Sequence, residues 1–422
     1  MIKIMNSVPD ILKEKSVLFY FFIMITGFGF AQSKTKIEIG TIDSISSKIL
    51  NEKRKIWIHL PKSAQNKSFA KQKYPVMYLL DAEGHFSSVV GIIEELSEVN
   101  GNTNCPEMIL VGITNTNRNR DLTPTHSEID FPFVPKELSE QSGGGEKFVE
   151  FLEKELIPYI DSKYPTAPYK TLIGHSFGGL TTINILTNHT QLFNSYVAID
   201  PSMWWDHQKF LAQTTKKLTG KNLSNISLFM AAANTMDDSM NIIKVRKDTT
   251  VFTRHIRSIL DLNDFFNTDK NSHLNYGYQY YKDDSHGSVP LIATYDAIRF
   301  IFQFNQLKLS IPDQINFNKA VFTKIEKHFD NVSKHLGYKV NVPENLVNAY
   351  GYQSLGKKDM DLAGYLFQLN VTNYPQSPNV YDSLGDFYEA NGDKKNAIAN
   401  YEKVLSLDKD FPETKTKLDK LK

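Results

Sequence analysis

The chain has 422 residues, 41% of them hydrophobic and 12% aromatic, with 48 basic against 47 acidic side chains. That length exceeds one ordinary core and predicts two domains. The near-balance of charge excludes binding to nucleic acid or an acidic membrane surface through bulk charge, and leaves small or neutral partners. A single cysteine, Cys105, excludes an internal disulfide, so folding rests on the apolar core. No base stands near it in "NTNCPEMIL", and it reads as structural.

In chain order, Lys13 and Lys15 precede an apolar run from Val17 to Phe30, and Gly29 and Ala31 occupy the small-residue positions of a cleavage site. This is the pattern of a secretory signal peptide over residues 1–31. An uncleaved anchor is the alternative, but the run falls short of the about 20 residues of a span. The expectation is an exported chain, periplasmic or secreted, with no membrane span after cleavage.

Residues 32–305 alternate strand-like and helix-like runs. "RKIWIHLP" alternates in polarity, as a half-buried strand does. "YPVMYLLD", "MILVGIT", "KTLIG", "SYVAID" and "ISLFMAAA" are short apolar runs suited to a parallel sheet buried on both faces. Between them lie helical stretches such as "GEKFVEFLEKELIPYIDSKY" and "GGLTTINILTNH". The alternation implies a doubly wound α/β sheet with flanking helices. The strands before residue 61 are joined by short turns and are expected to be antiparallel. Residues 306–342 read as a helical linker around "FNKAVFTKIEKHFDNVSKHLG".

Residues 343–422 repeat with a period of about 34. Tyr381, Leu384, Gly385, Tyr388, Ala397 and Tyr401 stand at the spacings of a tetratricopeptide repeat, and Gly351, Ala363, Phe367 and Pro375 fall in register one period earlier. Two repeats rarely stand alone and are expected to dock on the upstream helix. They serve either as a partner-binding surface or as a helical cap.

"TLIGHSFGGL" carries the chemistry. Gly174, His175, Ser176, Phe177 and Gly178 fit G-x-S-x-G between a strand and a helix, the setting that lifts a serine hydroxyl above a sheet on strained backbone. Serine needs a base. His286, in "YGYQYYKDDSHGSVPL", follows the last strand and adjoins a glycine; of the 11 histidines it alone does so. His255 lies mid-helix in "FTRHIRSIL". The acid that fixes the imidazole is expected after "ISLFMAAA", where "NTMDDSMN" offers Asp238, the preferred residue, and Asp237; Asp283 and Asp284 are the other candidates. Two backbone donors for an oxyanion are expected at Phe177 and at Glu83, after "VMYLLD".

"YLLDAEGHF", "NRNRDLTPT", "IGHSFGG", "DPSMWWD" and "DDSHGSVPL" together resemble the esterase D family of α/β-hydrolases, in the branch of the enterochelin and bacillibactin esterases, over about residues 35–305. The family's usual "LLDG" reads "LLDA" here. The resemblance implies an α/β-hydrolase sheet, followed here by a small all-α tetratricopeptide domain. It places "NRNRDLTPT" at the mouth of the site, where Arg118 and Arg120 hold an acidic or catecholate-like substrate, or Arg120 simply pairs with Asp121. It implies that Trp204 and Trp205 wall the acyl pocket, with one of them in the core. The reading is an exported serine esterase acting on a small-molecule ester without a cofactor, and no cluster with metal-ligand spacing stands out. The alternatives are an inert hydrolase fold that binds a protein partner through its repeats, and an acyltransferase.

Overall fold

The structure is a computed structural model, described over residues 36–65, 72–128, 136–269, 272–411 and 413–422. The signal-peptide expectation lies outside the described residues. Residues 36–38 are exposed and without regular structure, and Ile39–Lys422 form one compact unit.

Eight strands among the described residues form one sheet: β1 (Thr41–Ser47), β2 (Glu52–His59), β3 (Tyr74–Leu79), β4 (Ile109–Ile113), β5 (Thr166–His175), β6 (Ser195–Ile199), β7 (Ser227–Ala233) and β8 (Asn275–Tyr281). Their order is β1-β2-β4-β3-β5-β6-β7-β8. β1 and β2 pair antiparallel, as do β2 and β4, and every later pair is parallel. The antiparallel start and the parallel remainder are as the short turns and apolar runs predict.

The apolar runs are continuous because both faces of the sheet are covered. In β3, Val76 and Tyr78 join one core while Met77 and Leu79 join the other; Tyr196 and Ala198 against Val197 and Ile199 repeat the alternation in β6. Each fully buried large side chain contributes about 1.5–3 kcal/mol. The second core is covered by α1 (Ala82–Ser97), through Phe86, Val89, Val90 and Ile93, and by a later helix at Val289–Ile301. The first core is covered by α2 (Phe177–Asn188), α3 (Lys209–Leu218) and α4 (Arg254–Thr268), with the helical stretch at 145–163. Val289–Ile301 is α5. Cys105 is buried against the second core, and burial pushes its thiol pKa up, in keeping with a structural role.

The linker segment is a packing element. Its main helix, α6 (Lys319–Leu336), places Val332 and Leu336 in the second sheet core. Val321, Phe322 and Ile325 of the same helix pack with Val347, Leu362 and Leu366. Those partners belong to the first helical pair, α7 (Glu344–Gly356) and α8 (Met360–Asn373). α9 (Pro378–Ala390), α10 (Lys394–Leu407) and α11 (Thr414–Leu421) follow. A Cβ on Gly351 would lie 2.6 Å from the Phe367 ring, and one on Gly385 would lie 2.5 Å from the Tyr401 ring. The small residues therefore let each pair close around its aromatic partner. Among the described residues, no helix is long and apolar enough to cross a membrane.

Candidate active site

Three neighbouring parallel strands, β3, β5 and β6, are each followed by a non-glycine residue at positive φ: Asp81 at 54°, Ser176 at 59° and Asp200 at 42°. Such backbone costs on the order of 1–3 kcal/mol per residue and persists only where the surroundings impose it. Here all three lie at the carboxyl ends of the strands, where open α/β sheets bind ligands.

Ser176, with ψ −115°, is the N-cap of α2 and makes no side-chain capping bond. Its N–H donates to Ile199 O at 3.0 Å, and its carbonyl accepts from Leu180 N–H at 2.9 Å and Ser202 N–H at 3.1 Å. The backbone is thus held on both sides while the hydroxyl stays free of the helix. Its Oγ lies 3.4 Å from Ser202 Oγ. The glycines make the corner possible. A Cβ on Gly174 would meet Gly178 O at 2.1 Å, and one on Gly179 would meet Pro201 Cα at 3.0 Å.

His286 follows β8. Its Nδ1 lies 2.5 Å from Asp200 Oδ2, and its ring centroid is 4.5 Å from that of His175, the residue before Ser176. The tertiary fold therefore brings Ser176 and His286 to one corner of the sheet. Asn234, after β7, fixes the approach: its N–H donates to Asp284 O at 2.8 Å and its Nδ2 to Lys282 O at 3.0 Å.

The carboxylate on His286 is Asp200, not Asp238. Asp238 and Asp237 are exposed, and Asp237 accepts from the backbone N–H and hydroxyl of Ser239. Asp283 pairs with Lys282, and Asp284 accepts from Ser288 Oγ. The loop after β7 turns outward, so its acids miss the imidazole. Asp200, completely buried, takes the place from the end of β6. Its Oδ1 accepts from Ala233 N–H at 2.9 Å, and its Oδ2 is shared by His286 and by His255 Nε2 at 2.9 Å. Burial alone would raise its pKa; the neighbouring His255, the hydrogen bonds from both imidazoles and the Ala233 N–H hold it well below the usual carboxylate range. The sequence signal for Asp200 was an acid closing the buried run "SYVAID". His255 gave none, because its helix position says nothing about what lies across from it. Ligand atoms of Asp200, His255 and His286 lie within 4.8 Å of one another. This metal-competent cluster went unseen in the sequence, since its members stand 31 to 86 residues apart.

His175 and His85 complete a row of imidazoles beside the corner, 5.9 Å apart. Burial, then the neighbouring His286, lowers the His175 pKa to about 4, so this ring stays neutral near pH 7.

Arg118 does not point free into solvent. Its Nε and Nη2 grip Asp81 at 2.7 and 2.8 Å, its Nη2 is 3.5 Å from His175 O, and its guanidinium lies 5.4 Å over the Phe177 ring. Burial raises the Asp81 pKa, but the Arg118 pair outweighs it and the carboxyl stays low. Arg120 is spent elsewhere: it binds Asp121 at 2.7 Å and Glu52 at 2.9 Å, with Arg54 on the same two acids. Its reading as a substrate clamp gives way to the loop-holding pair. Trp205 is fully buried, with its indole N–H on Thr125 Oγ1 at 3.1 Å, and is a core residue rather than a pocket wall. Trp204 is half-buried, its ring 6.1 Å from that of Phe177.

Phe177 opens α2 and Glu83 lies in the first turn of α1. The two helix starts meet closely: a Cβ on Gly178 would stand 3.3 Å from Asp81 Oδ2. Two helix N-termini, each with unpaired N–H groups and a positive dipole end, thus face the corner. The Glu83 carboxylate accepts from Asn115 N–H at 2.7 Å and does not enter this role.

Known proteins are similar to this chain in sequence and fold. The sequence profile of the Esterase family matches residues 47–256, and that of the tetratricopeptide repeat matches residues 378–411. The ferri-bacillibactin esterase BesA of Bacillus subtilis is 33% identical over 175 residues, 38% of this chain and 59% of BesA, so the match spans less than two thirds of that relative. An IroE-like serine hydrolase from Shewanella oneidensis superposes with TM-score 0.64 at 30% identity, over 78% of this chain and 98% of that one. A protein from Capnocytophaga ochracea shares the fold at TM-score 0.54 and 21% identity, over 90% of this chain and 99% of its own. The chain belongs to the esterase family of α/β-hydrolases, alongside the siderophore esterases, and carries a tetratricopeptide repeat at its C-terminal end.

Proposed function

We propose that the protein is a serine esterase that cleaves a carboxylic ester through an acyl-enzyme. The observation that carries this is the Asp200–His286 pair set beside the strained Ser176 corner. In this reading Ser176 Oγ attacks the ester carbonyl and His286 Nε2 takes its proton. Asp200 receives the Nδ1–H, which fixes the tautomer and stabilises the imidazolium. The oxyanion meets the N–H groups of Phe177 and Glu83 at the two helix starts. His286 then protonates the departing alcohol, and a water, activated by the same imidazole, releases the acid.

The substrate class in this reading is a siderophore-type or sugar-linked ester, supported by the likeness to a bacillibactin esterase. Arg118 and Trp204 border Phe177 and contact such a substrate at the mouth. The repeats bind a protein partner, a reading supported by the match at residues 378–411. Export is part of the same proposal and rests on the Lys13, Lys15 and Ala31 pattern.

A panel of p-nitrophenyl esters, catecholate lactones and acetylated or feruloylated sugars tests the reading, together with a fluorophosphonate label. Hydrolysis and labelling by the wild type, both lost in Ser176→Ala, are expected. A wild type that neither hydrolyses any member nor takes the label overturns it.

A further inference from the structure

We propose that Asp200, His255 and His286 form a binding site for a divalent transition-metal cation of the Zn2+ class, and that its occupancy switches the esterase off. Hydrolysis uses Asp200 and His286 but gives His255 no step, although its Nε2 is aimed at the same carboxylate oxygen, 2.9 Å away. Two imidazole nitrogens and one carboxylate oxygen, all within 4.8 Å, are three ligands of the type that borderline-soft cations take. Hard cations such as Mg2+ and Ca2+ prefer all-oxygen shells.

The geometry needs little change. A cation about 2.0–2.2 Å from each ligand atom requires the two imidazoles to draw back slightly from Oδ2. The carboxylate is already oriented by the Ala233 N–H on its other oxygen, the outer-shell bond that metal-ligating carboxylates typically carry. Asp200 is buried while the His286 side chain is 42% exposed, so the open coordination position faces the mouth of the site.

Metal binding and catalysis exclude each other at one ring. The cation takes the lone pair of His286 Nδ1, and the proton that stood there moves through solvent to Nε2. The His255 proton likewise moves from Nε2 to Nδ1. Two hydrogen bonds break and three metal–ligand bonds form, with no redox change. His286 Nε2 then carries a proton and cannot accept one from Ser176. The switching half rests on the proposed serine-esterase function; the binding half does not.

Titration calorimetry of ZnCl2 into the full chain, first dialysed against chelator, tests both halves. One ion per chain is expected. His255→Ala and His255→Gln should each weaken binding by more than about 100-fold, the ceiling for losing an outer-shell partner alone. The glutamine keeps an N–H donor for Asp200, so the fold is protected. Ser176→Ala, which removes no ligand atom, should bind like the wild type. Zn2+ should suppress ester hydrolysis and EDTA should restore it. No saturable binding, an unchanged Kd in His255→Gln, or binding without inhibition of an active enzyme overturns the proposal. Tight binding to a wild type with no esterase activity would instead sink the hydrolase reading and leave the metal site standing.

Discussion

His286 Nδ1 and Asp200 Oδ2 stand 2.5 Å apart, and the acid reaches the imidazole from the end of β6 rather than from the loop after β7. Asp200→Asn should therefore lower kcat for a p-nitrophenyl ester by about 10^3–10^4-fold, the scale of losing the tautomer-fixing acid. Asp238→Asn should leave kcat at the wild-type value. The opposite ranking of the two variants would return the role to Asp238.

Ser176 holds φ 59° and ψ −115°, a region that glycine enters freely. Ser176→Gly should abolish activity yet stabilise the fold by about 1 kcal/mol, the relieved strain being partly offset by the added freedom of the unfolded chain. Ser176→Ala keeps the Cβ and should not gain. Thermal melts of the three proteins decide, and equal Tm values for the glycine and alanine variants would remove the strain argument.

The pKa of His175 is about 4 in the folded chain, against 6.5 for the unperturbed group. Well above pH 6.5 the ring is neutral in both states and contributes no slope. As pH falls from 6.5 towards 4 the unfolded chain binds a proton that the folded chain refuses, so stability falls through that window. Urea unfolding at several pH values should show a shallower decline for His175→Gln than for the wild type. Parallel curves would contradict the burial of this ring.

Arg120 is committed to Asp121 and Glu52, and Asp121 is almost fully buried. Arg120→Ala should cost about 1–3 kcal/mol, less than a fully buried pair because the arginine is one-third exposed and Arg54 still reaches Asp121. Its KM for a neutral ester should not change. A raised KM at unchanged urea midpoint would restore the arginine to the substrate site.

Much of this molecule was legible in the chain because its signals are local. The continuous apolar runs of β3, β4 and β6, the glycines around Ser176, and the small residues at Gly385 and Ala397 each follow from contacts within one turn or one layer. His286 was legible because its place after the last strand is itself a chain-order property. Asp200, His255 and the engagement of Arg120 were not. Each depends on which loop bends over a neighbouring strand end, and on a partner far away in sequence. The loop after β7 carries two acids and turns outward, while Asp200, the single acid just past the end of β6, is turned inward. Residue types and their periods determined the sheet, the elbow and the repeats, since backbone sterics and apolar burial act on short stretches. Only the tertiary structure decided which carboxylate meets His286, because that choice is made by the packing of β6 against β7 and not by the order of residues in either.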